Sequence, residues 1–255
     1  TGMAAVFRVD LLPARHGDCI LLTYGDAARP ARVLVDGGPT SAFPALEGRL
    51  GRLAVAERAL ELMVVTHIDS DHIEGCLKLL NHPELATFDD IWFNGWPHLD
   101  QRLEEPPADA DPERPAHRSA LHGMGIGVRI DGRRWNAAFD GAPIFVPVEG
   151  DLPRVRLPGG MVLTLLSPNL TALQRLRQHW AKALSQSGLA AADAESIEER
   201  LDRRPAYRTA ETQKHRILEI LNTTEQALPV LDGAVANGSS IAFIAEYDGR
   251  RCALL

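Results

Sequence analysis

Short apolar runs of strand length dominate the first third of the chain. Residues 4–12 and 19–24 form two of them, separated by Arg15-His16-Gly17-Asp18. A turn over 25–30 leads into Ala31-Arg32-Val33-Leu34-Val35, a third strand stopped by Asp36-Gly37-Gly38-Pro39. Between 43 and 61 the positions Leu46, Leu50, Leu53, Ala54, Ala56 and Leu60 suit one face of a helix, with Gly48 and Gly51 as weak points. Leu62-Met63-Val64-Val65-Thr66 reads as a buried strand. A helix over 73–81 is closed ahead of Pro83, and a strand over 88–93 ends at Asn94-Gly95.

The pattern then loosens. Residues 106–115 are a Pro- and Asp-rich loop, 144–148 and 161–166 read as strands, and Ser167-Pro168-Asn169 caps a helix over 170–185. The stretch 187–216 is rich in Ala, Glu and Arg and poor in large apolar residues, so it is expected outside the sheets, as a helical insert or partly disordered. Residues 239–247, the Asp248-Gly249 turn and 250–255 form a hairpin. With no internal repeat and no convincing boundary, 1–255 reads as one domain. The strand and helix alternation predicts an α/β fold, and a doubly wound parallel sheet is one form it could take.

Chemistry concentrates in Thr66-His67-Ile68-Asp69-Ser70-Asp71-His72, where a buried strand gives way to a helix. In an extended loop His67, Asp69 and Asp71 fall on alternate positions and can converge on one side, while His72 opens the helix beside them. Two imidazoles and two carboxylates within six residues suit one or two divalent cations. Isolated residues of these types usually cap helices or sit on the surface; four at this spacing point to metal.

Composition narrows the setting. The chain is 45% hydrophobic and 24% charged, ordinary for a globular protein, and no apolar stretch nears the roughly 20 residues of a membrane span. Thr1-Gly2-Met3 lacks the order of a signal peptide and reads as a cloning remnant before a native start at Met3, so a cytoplasmic setting is expected. Cys19, Cys76 and Cys252 form no C-x-x-C pair and imply no disulfide framework; Cys19 and Cys252 lie in apolar runs, as small buried hydrophobes do. A net charge of −7 argues against a surface that binds nucleic acid throughout, but does not exclude a nuclease, whose metal supplies local positive charge.

The loop resembles the H-x-H-x-D-H signature of the metallo-β-lactamase superfamily, in a variant with Asp69 in place of the second His. That variant is similar to the hydrolase-like domain of bacterial competence DNA-uptake channels and its soluble relatives. His16-Gly17-Asp18-Cys19-Ile20-Leu21-Leu22 looks like the family's early Gly-Asp strand entry, and Val33-Leu34-Val35-Asp36-Gly37-Gly38 like its strand ending in Asp-Gly-Gly. Asn237-Gly238-Ser239-Ser240 and the following hairpin are similar to the family's late hairpin. The resemblance implies an αββα sandwich. It also implies His67 and Asp69 on a first metal, Asp71 and His72 on a second, and Asp18 and Asp36 orienting the metal loop. For the two aspartates, turn capping is the alternative. The family's hairpin runs on into a Gly-Asp segment with a bridging Asp, and a further His follows. This chain stops at Leu255, so the resemblance implies a site short of ligands: empty or singly occupied, and poorly active.

The function expected is therefore a metal-dependent hydrolase. Zinc is the first choice of metal, with Mn or Fe suited by the harder site that Asp69 creates. Asp71 is expected to orient the attacking water. A phosphodiester, small or in nucleic acid, is the first choice of substrate, with esters, lactones or amides open. His98, after the strand end at Asn94-Gly95, is a candidate further ligand or substrate contact, and otherwise a surface residue. Trp92 and Trp96 read as packing residues, and His122 as part of a packed helix. The alternative function is a non-catalytic metallo-β-lactamase-like module that acts through partners.

Overall fold

A computed structural model describes residues 4–102, 117–130, 132–187 and 234–255. Its strands form two sheets. The first has β1 (Ala5–Leu11), β2 (Ile20–Asp26), β3 (Arg29–Val35), β4 (Ala59–Val64) and β5 (Thr87–Trp92) in that order. β1, β2 and β3 pair antiparallel, whereas β3, β4 and β5 pair parallel. The second is antiparallel: β6 (Arg154–Arg156), β7 (Val162–Ser167), β8 (Ala242–Tyr247) and β9 (Arg250–Leu254). The fold is α/β with one mixed sheet, one antiparallel sheet and helices, not a single parallel sheet.

The inner strands of the first sheet are apolar on both faces because both faces are covered. Leu21, Leu34, Met63 and Ile91 join a core with the helices: Leu46 and Leu50 from α1 (Phe43–Gly51), Ile73 and Leu77 from α2 (Ser70–Leu80), Ile126 from α4 (His117–Ile130), and Leu173 and Trp180 from α5 (Leu170–Ser187). Leu99 of α3 (Trp96–Arg102) and Ala236 of α6 (Ala234–Gly238) belong to the same core. From the other face Leu22, Val33, Val35, Leu62, Val64 and Trp92 form a second core with Leu163, Leu165, Phe243, Ala245 and Leu254 of the antiparallel sheet. Burying such side chains stabilises by about 1.5–3 kcal/mol each, so α2 and the strand ends beside it are fixed from two sides.

Several elements differ from the sequence pattern. The helix expected over 43–61 ends at Gly51, and Ala59 and Leu60 instead pair with Thr87 and Phe88. Arg58 binds the freed carbonyls of Gly51 and Leu53, which stabilises the break. Leu60 suits either a helix face or a strand; parallel pairing decides. The strand expected over 144–148 is reduced to a bridge between Val146 and Asn169. Ile144 is buried, but its N–H and carbonyl bond to the Asn94 side chain at 2.7 and 2.8 Å, which replaces a neighbouring strand. The strand expected over 239–247 starts at Ala242, because Ser239 and Ser240 close the turn after α6. The loop at 106–115 and, beyond Ser187, the insert at 187–216 lie outside the described residues.

Candidate metal centre

β3 and β4 are parallel neighbours, so their C-terminal ends lie side by side, and both candidate loops leave from there. Asp36 follows β3 at φ +55°, a left-handed conformation that Asp tolerates better than most residues, and is 1% exposed. Its N–H bonds to the Val64 carbonyl. Gly37 and Gly38 then lie directly against α2: Gly37 N–H donates to the His72 carbonyl, and Gly75 N–H to that of Gly38. A Cβ on Gly75 would overlap the Gly37 carbonyl, and one on Gly17 would overlap the backbone of Asp71. These contacts are the steric reason for the glycines in both motifs.

Asp36 is the hub of the site. Its Oδ1 accepts the Thr66 N–H at 2.8 Å, and its Oδ2 accepts the Thr66 hydroxyl at 2.6 Å and His72 Nδ1–H at 2.9 Å. The single Thr66 hydroxyl proton is thus committed to a carboxylate, so Thr66 Oγ1 can only accept from His67 Nδ1, 2.8 Å away. This assigns the proton of His67 to Nδ1. His67 Nε2 is then a bare lone pair, buried, and without a hydrogen-bond partner among the described residues. An orphaned buried imidazole nitrogen is costly unless a ligand binds it, and a divalent cation fits.

The neighbouring groups suit that assignment. Ligand-type atoms of Asp36, His67 and His72 all lie within 4.8 Å of one another, and the two imidazole rings are 4.1 Å apart. Asp69 is the N-cap residue of α2, yet its carboxylate makes no capping hydrogen bond, and Oδ2 lies 3.6 Å from His67 Nε2. A carboxylate that leaves a helix N-terminus uncapped is available for other use. Burial disfavours the His72 cation, but the Asp36 hydrogen bond and the charges of Asp36, Asp71 and Asp18 outweigh it and raise its pKa. Asp18 lies 3.8 Å from His72 Nδ1 and is half exposed.

A cavity of about 610 Å³ opens beside these groups, lined by Asp18, Asp36, Thr66, His67 and His72 from the first sheet's end. Leu166, Ser167, Asn237, Ser240 and Leu254 bring the second sheet to the same cavity. His67 and His72 therefore face one space. Asp71, in the first turn of α2, is partly buried and acts on His72 through its charge, but it is not part of the cavity wall. His98 is buried away from the cavity, edge-on to Trp135 with ring centres 4.4 Å apart, and its Nδ1 accepts the Gly95 N–H.

Trp92 and Trp96 are buried packing residues, and His122 is fully buried in α4. Burial lifts the Cys19 thiol to about 12, with Asp36 and Asp18 adding to the shift, so it is an unreactive core residue. Sequence reasoning passed over Thr66 as a strand end and gave Ser240 no role. Ser240 reaches the site from 173 residues away, and its Oγ lies 3.2 Å from His67 Nδ1. No helix among the described residues is long and apolar enough to cross a membrane. No protein-family model matches the chain, and no curated protein matches it.

Proposed function

We propose that this chain is a metal-dependent hydrolase with the αββα sandwich of the metallo-β-lactamase superfamily, binding one divalent cation, with zinc the first choice, at His67, His72 and Asp69. The observation that carries the reading is the buried, partnerless Nε2 of His67 beside the uncommitted Asp69 carboxylate. The two sheets joined by a shared apolar core, with α1 and α2 packed on the other face of the first sheet, support the fold.

When bound, such a cation supplies Lewis acidity that lets water act as a nucleophile near neutral pH. The protein's own groups prepare the site. Asp36 holds a proton on Nδ1 of His72, and Thr66 holds one on Nδ1 of His67, so in its neutral form each imidazole offers Nε2 as the ligand nitrogen. Asp36 itself, already accepting three hydrogen bonds, orients the ligands. Asp71, outside the cavity wall, acts on the site through its charge on His72, and Leu166 and Leu254 give the cavity an apolar side. A phosphodiester is the first substrate to test, with an ester or lactone second.

The test is zinc titration of the metal-stripped protein, followed by turnover of bis(p-nitrophenyl) phosphate and p-nitrophenyl acetate. We expect about one zinc per chain and slow zinc-dependent hydrolysis of one substrate. His67→Ala should abolish both, and Asp71→Ala should lower hydrolysis more than zinc affinity. At 100 times its Kd, zinc should stabilise the fold by about 2.7 kcal/mol. Absence of zinc binding or of turnover would favour a non-catalytic partner-binding module, and full activity in Asp71→Ala would remove that residue from the mechanism.

A further inference from the structure

The two ends of the first sheet are finished differently. Beyond β5, Ile91 bonds with Arg134 and Asn136 and forms a bridge with Trp135, so that edge is covered. At the other end β1 has seven residues, no Pro, no Gly and no bulge against β2, and no strand among the described residues pairs with its outer side. In the second sheet one edge strand, β6, has only three residues, and the other, β9, opens with Arg250-Arg251. Short strands, charges, Pro and bulges are the usual guards of an open edge. β1 carries only one pair of opposite charges, Arg8 and Asp10, and it exposes Val9 and, at 75%, Leu11.

The hydrogen-bond phase of β1 fixes which of its groups are open. Ala27 N–H donates to the Ala4 carbonyl at 2.8 Å, and Leu12 N–H to the Cys19 carbonyl at 2.9 Å. In the β1–β2 register the even-numbered residues of β1 therefore bond to β2, and Ala5, Phe7, Val9 and Leu11 turn N–H and carbonyl outward. Side chains alternate as well. Phe7 packs toward Tyr247 of β8, with Val9 and Leu11 on the same side of the strand. Asp10 bonds to Arg49 of α1 on the helix side, with Arg8 beside it.

We propose that β1 pairs with β1 of a second copy of this chain, antiparallel about a two-fold axis at Val9, joining two five-stranded sheets into one. A two-fold contact needs a self-complementary strand, and in this register β1 is one. Val9 of one copy opposes Val9 of the other, Phe7 opposes Leu11 on both sides of the axis, and these pairs exchange the outward main-chain bonds. Arg8 opposes Asp10 twice, in the closely spaced pairs where side chains interact best. Moving the axis to Arg8 or to Asp10 sets like charges against each other, so the charges select the Val9 register. Leu11 then meets Phe7 instead of water. This surface is independent of the cation site proposed above.

The test is sedimentation equilibrium of the full chain over a range of concentrations, with thermal melts to confirm folding. We expect reversible association to twice the mass of one chain. Val9→Pro removes an outward N–H that β2 does not use, so the fold should survive and the dimer should be lost. Arg8→Glu and Asp10→Lys each set like charges opposite one another twice, and each should weaken self-association about tenfold. Mixed in equal amounts, the two should associate again, because each supplies the charge that the other lacks. Should Val9→Pro fail to fold, the mixing experiment decides alone. A monomer at every concentration, a dimer that survives a folded Val9→Pro, or a mixture no more associated than its parts would each overturn the proposal.

Discussion

Two histidines are buried on opposite sides of α2, and their surroundings differ. His67 lies at the strand end facing the cavity, and His122 lies in α4 against the helix's inner side. His122 Nδ1 is 3.5 Å from Ser70 Oγ and 3.9 Å from Glu74 Oε1. Glu74 Oε2 in turn accepts the Thr40 N–H at 2.8 Å and the Thr40 hydroxyl at 2.6 Å. On that side the polar groups of the helix layer meet one another. On the other side Asp36 plays the part of Glu74, but the network leaves one buried nitrogen without a hydrogen-bond partner among the described residues, on a histidine that lines a cavity. Burial and a nearby carboxylate are common to both sites, so neither distinguishes a ligand from a structural histidine. The unspent nitrogen and the adjoining cavity do.

The largest effect expected from breaking this symmetry is at Asp36. Asp36→Ala strands the Thr66 N–H, the Thr66 hydroxyl and the His72 imidazole in a buried site. Breaking a buried charged network of this kind costs about 3–5 kcal/mol. Urea unfolding should show that loss together with loss of zinc binding. A variant of wild-type stability would mean that the hub is not holding the loop.

Next in size is Glu74→Gln. It keeps the shape but removes the charge facing the two Thr40 donors and His122, for an expected cost of about 1–3 kcal/mol. Its role in sharpening the comparison is the split between readouts: stability should fall while zinc affinity and the His67 tautomer stay near wild type. A tenfold loss of zinc affinity would show that the two sides of α2 are one network.

How much of this was legible depends on how local each signal is. β2, β3, the strand before Thr66 and α5 announce themselves because apolar runs and caps are decided within a few residues. The Thr66 to His72 loop is legible for the same reason. The helix over 43–61 ran too far, since Leu60 obeys both periods and only pairing with β5 settles it. The three-residue β6 carries too little pattern to read, and 144–148 is apolar for burial rather than for pairing. At the site, Asp36 and Asp18 were placed near the loop only through family resemblance. The contacts of Ser240 with His67, and of Glu74 with His122, join residues 173 and 48 positions apart, and no window of sequence contains them.

The smallest effect concerns the thiols on the helix side of the same strand ends. Cys19 and Cys76 are buried, and burial, reinforced by the charge of Asp36, raises both pKa values; that of Cys19 reaches about 12 from an ordinary 9.0. Cys252 is only partly buried. Thiol reagents act on the thiolate, so at pH 8 the native protein should react at about one thiol, and at all three once unfolded. The sign of the linkage follows from the shift. Above pH 9 the unfolded chain releases its Cys19 proton while the folded chain holds it, so stability falls as pH rises from 9.0 toward about 12. Cys19→Ala should flatten that alkaline slope slightly and leave zinc affinity unchanged. Rapid native labelling of Cys19 would mean that the strand entry beside Asp18 opens and that the helix-side core is not closed there.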